Sequence, residues 1–127
     1  MAAEQMNPEG IGVVRISDEV ISIVSGVAVS EVKGVIGIYD GSKSGLFGFK
    51  TLNKGVRAEI KDNLVNIDID IVVEYGANMP EVAWEIQGKI KKAVESMTGL
   101  IVEKVNVFIK GIEFKKDENT EEKKEEE

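Results

Sequence analysis

Cysteine and histidine are both absent from the chain. Without cysteine there is no disulfide framework, no thiol nucleophile and no thiolate metal site. Without histidine the commonest catalytic base and zinc ligand are missing, so any chemistry falls to carboxylates, lysines or hydroxyls. No apolar run approaches the ~18–20 residues of a membrane-crossing helix. The opening MAAEQMNPEG lacks a basic segment followed by an apolar one, so the expectation is no signal peptide and a cytoplasmic location. Basic residues are outnumbered, 16 against 23, and the net charge of −7 leaves no basic surface for counterion-releasing contact with nucleic acid.

What remains suits one domain. A chain of 127 residues that is 43% apolar can bury one core. The expected division is a flexible N-terminus over 1–9, a domain over 10–114, and a disordered tail over 115–127. That tail, KKDENTEEKKEEE, has no apolar residue and reads as a solubilising extension.

Periodicity predicts the elements in between. Ile11 to Ile16 reads as a short strand, and Ser17 offers an N-cap followed by Asp18 and Glu19, where a helix dipole favours negative charge. Val20, Ile23, Val24, Val27, Ala28 and Glu31–Val32 then keep near-helical spacing, which predicts an amphipathic first helix. Gly34 ends it and Val35 to Tyr39 forms a strand. Asp62-Asn63 is a two-residue hairpin turn that sets Ile60 against Val65, Ala58 against Ile67 and Arg57 against Asp68. The long strand from Leu64 to Tyr75 alternates a buried face with a wet one. A second helix starts at Asn78, with Glu81 at capping-box spacing, and carries the stripe Val82, Ile86, Ile90, Ala93 and Met97. Thr98-Gly99 closes it before a last strand from Leu100 to Ile109. The order β-α-β-β-β-α-β predicts an α+β fold: a single two-layer domain, a mixed sheet with two main helices.

Three groups of residues are candidate sites. Residues 39–55, YDGSKSGLFGFKTLNKG, fail as a phosphate cradle, because Phe49 separates the glycine from the lysine and a strand follows where a helix is required. Leu46, Phe47, Phe49 and Leu52 therefore need burial, either against this domain or against a partner, a second copy or a membrane surface. Trp84 falls on the outer face of the second helix with Gly88 and Lys91, either as an interface anchor or covered by a neighbouring loop. Asp68, Asp70 and Glu74 share the wet face of one strand. Alternate strand positions lie ~6–7 Å apart, a poor cage for a hard cation, so a charge-paired face is expected. No catalytic, cofactor-binding or metal-binding residue is assigned.

The ordered set GIGVVRISDEVISIVSGVAVSEVKGV, LNKGVRAEI, VNIDIDIVVEYG and NMPEVAWEIQGKIKKAVESMTGLIVEKVNVFIKGIEF resembles the alkaline shock protein family of Gram-positive bacteria, also grouped with a general stress protein. The resemblance implies a non-enzymatic binding or assembly protein in cell-envelope stress response and homeostasis. For some members it also implies a separate membrane-anchor protein as partner, while the apolar 41–54 loop and the Trp84 face point by themselves to protein partners or self-association. The stretch PEVAWEIQ is closest to the short housekeeping branch, for which the resemblance implies regulation of fatty-acid synthesis through acetyl-CoA carboxylase.

Overall fold

The computed structural model describes residues 2–6, 10–39 and 55–114. In chain order the elements are β1 (Ala2–Met6), β2 (Val13–Ser17), α1 (Asp18–Ser30), β3 (Val35–Ile38), β4 (Val56–Lys61), β5 (Leu64–Glu74), α2 (Met79–Thr98) and β6 (Ile101–Glu113). The α+β class and the expected β-α-β-β-β-α-β order are both observed, with β1 standing in front of them. Residues 1–9 are expected to be a flexible N-terminus, whereas Ala2–Met6 form β1, which pairs antiparallel with β2 from Ala2 opposite Ser17 to Met6 opposite Val13.

β5 is the centre of the main sheet because it is the longest alternating apolar segment. The turn at Asp62-Asn63 folds β4 back on it, and Asp62 takes a left-handed φ of 58°, which a short polar residue tolerates. The register pairs Ile60 with Val65, Ala58 with Ile67 and Arg57 with Asp68, as the alternation predicts. β3 continues along the same edge of β5, with Ile38 opposite Ile71. β6 runs parallel to β5 along the other edge, from Ile101 opposite Leu64 to Glu113 opposite Glu74. The sheet is therefore mixed. Val65, Ile67, Ile69, Ile71 and Val73 point to one side, are fully buried, and form a single core with both helices.

The helices begin where the sequence places them. The Ser17 hydroxyl accepts the Val20 N–H at 3.3 Å, and the Asn78 side chain accepts the Glu81 N–H at 3.2 Å. α2 ends on Gly99 at φ 77°, whose N–H donates to the Glu95 carbonyl at 3.0 Å. Beyond α1, Gly34 at φ 97° turns the chain into β3 and lies against Val82, so one end of α1 meets the opposite end of α2. The two helices are antiparallel neighbours.

Two expectations about helix faces are corrected. On α1 the residues turned into the core are Ile21, Ser25, Ala28, Val29 and Val32, while Val20, Ile23 and Val27 are exposed and Val24 is half-buried. Ser22 and Ser25 lie on the inward side because a small hydroxyl fits there: Ser22 donates to the Asp18 carbonyl at 3.2 Å and reaches the Val56 carbonyl at 3.4 Å. On α2 the inward line continues from Ile90 to Val94 and Thr98, leaving Ala93 half-buried and Met97 71% exposed. Four-residue steps follow a ridge inclined to the helix axis, and that ridge is what can track a twisted sheet. Thr98 meets the core with its polarity satisfied, donating to the Val94 carbonyl at 2.6 Å and accepting the Leu100 N–H at 3.1 Å.

Candidate interaction surface

Trp84 is 65% exposed on the outer side of α2, the orientation that helical spacing predicts. Gly88, one turn on, is open: a Cβ there would meet nothing within 4 Å. Lys91 stands one more turn along, and its ammonium donates to Glu95 Oε2 at 2.7 Å. The same oxygen accepts the Val102 N–H at 2.9 Å, and Gln87 donates to the Val105 carbonyl at 3.0 Å. The hydrogen bond from Lys91, and after it the one from the Val102 N–H, hold the Glu95 carboxyl below the ordinary glutamate value of 4.5. Lys91 thus helps fasten α2 to β6. Trp84 and Gly88 form the free part of this flank, a flat indole beside an open backbone on an anchored helix. Leu46, Phe47, Phe49 and Leu52, the apolar side chains of the glycine-rich loop, lie outside the described residues.

The wet face of β5 carries one ion pair among the described residues. Asp70 receives Arg57 through two hydrogen bonds, Nη1 at 3.0 Å and Nη2 at 3.1 Å. Arg57 stands opposite Asp68 in the backbone register, as the alternation predicts, but its guanidinium reaches the diagonal neighbour. Asp68 is already engaged from the other strand, accepting Asn106 Nδ2 at 2.8 Å. The hydrogen bond to Asp70, ahead of the field of Asp68, pushes the Arg57 pKa up. Among the described residues no three acidic side chains cluster closely enough to hold a metal ion.

The residue signals miss a second surface. Val20, Ile23 and Val27 of α1 are 44%, 36% and 47% exposed, and with Val24 they make an apolar stripe on the outside of the helix. Between α1 and α2, Ile23, Val24 and Val27 of this stripe and the exposed Met97 line an open groove, together with Glu31 at the C-cap of α1 and Lys89 and Lys92 of α2. A sequence signal exists: the apolar residues of α1 occupy two interleaved stripes, too many for one buried side.

Comparison with known proteins agrees with the resemblance. A profile of the alkaline shock protein 23 family, described as having a cell envelope-related function, matches residues 6–114. The protein YqhY of Bacillus subtilis (strain 168) is 36% identical over 107 residues, covering 82% of this chain and 79% of that one. YloU of the same strain is 33% identical over 106 residues, covering 80% and 88%. A stress response regulator gls24 homolog of Streptococcus pyogenes serotype M3 is 32% identical over 108 residues, and the match covers 60% of its length. Among solved structures, a MamM CTD variant overlays 75% of this chain and 95% of its own with a TM-score of 0.48 at 20% identity. By sequence, from the capped first helix to the end of β6, this chain belongs to the alkaline shock protein family, a family of cell envelope-related function.

Proposed function

We propose that the chain is a non-enzymatic binding module of cell-envelope stress response and homeostasis, and that it works by gripping protein partners. The observation that carries this reading is Trp84, 65% exposed beside the open backbone of Gly88 on a helix fastened at both ends. Tryptophan is enriched among the few residues that carry most of the binding energy of a protein interface. The family description and the printed name of the gls24 relative support the envelope and stress assignment.

The module acts from the cytoplasm, and a membrane-anchored partner brings it to the envelope. No described helix is long and apolar enough to cross a membrane, and a net charge of −7 does not favour direct attraction to anionic lipid. The working unit is 10–114, and the acidic run 115–127 serves solubility. Among the described residues nothing favours acetyl-CoA carboxylase over other partners.

Affinity purification of tagged wild-type and Trp84→Ala chains from cells, with quantitative mass spectrometry, tests the reading. A hot-spot loss of ~2 kcal/mol corresponds to roughly 30-fold weaker binding, so the main envelope partner should drop out of the Trp84→Ala sample. An identical partner set from both chains would contradict it.

A further inference from the structure

The apolar stripe of α1 and the groove beside it are a different surface from the Trp84 flank. We propose that this face is where a second copy of the chain docks, helix layer against helix layer, with the two-fold axis running along the helices.

The groove is apolar along its floor and charged with opposite signs on its two sides. Ile23, Val24 and Val27 come from α1, and Ala93 and Met97 come from α2. Because the helices are antiparallel, Ile23 and Met97 lie toward one end of the groove, and Glu31 and Lys89 lie toward the other. Glu31 is exposed at the end of the α1 stripe, Lys92 is exposed and Lys89 half-buried on α2, and none of the three makes an ion pair among the described residues.

That distribution selects the occupant. A two-fold axis along the helices lays α1 of one copy over α2 of the other while keeping each residue at its own level. Val27 then faces the partner's Ala93, Ile23 faces the partner's Met97, and Glu31 meets the partner's Lys89 and Lys92. The contact occurs twice, so one acidic and one basic rim on each copy are satisfied together. An axis across the helices would set like against like, α1 over α1, with Glu31 brought over apolar side chains. An anionic membrane is a poor occupant for a chain of net charge −7 with Glu31 on this face.

The test is sedimentation of the full chain over a concentration series. The wild type should associate to twice the chain mass of 13.9 kDa. Val27→Lys, which sets a third cation against the partner's lysines, should raise the dimer dissociation constant ~10–100-fold with an unchanged circular dichroism spectrum. Glu31→Lys should weaken association less, and combining it with Lys89→Glu and Lys92→Glu should restore it.

Because the native chain has no cysteine, cross-linking offers a readout independent of Val27. A mixture of Ile23→Cys and Met97→Cys chains should form a disulfide-linked pair, and neither chain should link to itself. A wild type that stays monomeric, a dimer insensitive to Val27→Lys, or self-linking of Ile23→Cys would each overturn the proposal. A monomeric wild type whose partner set still depends on Trp84 would overturn this docking while leaving the proposed binding role intact.

Discussion

α1 and α2 lie side by side on the same sheet, yet they divide their residues by different rules. α2 has one apolar line, Val82, Ile86, Ile90 and Val94, and away from it are Trp84, Gly88, Lys91 and Lys92. α1 is apolar on two sides, with Ile21, Ala28 and Val29 inward and Val20, Ile23 and Val27 outward. A single amphipathic stripe tells which way a helix turns. Two stripes do not say which of them turns to the sheet. For α1 one cover is the sheet, and the proposed other is a second copy of the chain.

Substitutions on the two sides of each helix test that contrast most strongly. Ile21→Ala and Ile86→Ala each remove a fully buried side chain and should lower the unfolding free energy by about 2–5 kcal/mol in urea titrations. Val27→Ala, at a protein concentration where the chain is monomeric, should change it by less than about 0.5 kcal/mol. Comparable losses at positions 21 and 27 would erase the distinction between the faces.

The caps should differ less. Asn78→Ala and Ser17→Ala each delete the acceptor for one first-turn N–H, at about 0.5–2 kcal/mol in thermal or chemical unfolding. The loss at Asn78 is expected to be the larger, since its bond serves the longer helix. An equal or reversed order would show that α1 depends on its cap more than on its two-sided packing.

A smaller effect of opposite sign is expected at Ser25. Its hydroxyl is buried and has no hydrogen-bond partner among the described residues. Ser25→Ala therefore removes a desolvated polar group and should leave stability unchanged or raise it by up to ~1 kcal/mol. A clear loss would mean that the hydroxyl is satisfied in solution.

The smallest effect concerns Glu95, the tie between α2 and β6. Its folded pKa is lowered below the ordinary 4.5, so the ionised form is stabilised by folding. That contribution is present above the unfolded value and disappears as pH falls through the lowered one. Glu95→Gln should lower stability at neutral pH and flatten the acid limb of the pH–stability curve. Parallel curves for the two chains would contradict this.

Legibility in the sequence followed the strength of local constraint. The β4–β5 register was readable because a two-residue turn and strict alternation admit one pairing. The caps were readable because Ser17 and Asn78 are short polar acceptors placed just ahead of helical spacing, where they reach the N–H groups of Val20 and Glu81. The face of α1 was not, since serine on a helix can bond its own backbone and so tolerates burial, as Ser22 does with the Asp18 carbonyl. Periodicity alone places Met97 inward, whereas the inward line on α2 follows the sheet twist and drifts to Thr98. The sharing of one β5 edge by β3 and β4 is set by tertiary pairing, for which no local pattern exists. Of the candidate site, the outward Trp84 was legible from helical spacing, whereas the groove beside α1 depended on knowing which stripe faces the sheet.

Thiol labelling of single-cysteine chains over a dilution series tests the α1 surface most directly. Val27→Cys should react rapidly in dilute solution and slow as concentration rises, while Ile21→Cys stays slow throughout. A Val27→Cys chain that reacts as slowly as Ile21→Cys when dilute, or equally fast at every concentration, would contradict the proposed exposed face covered by a second copy.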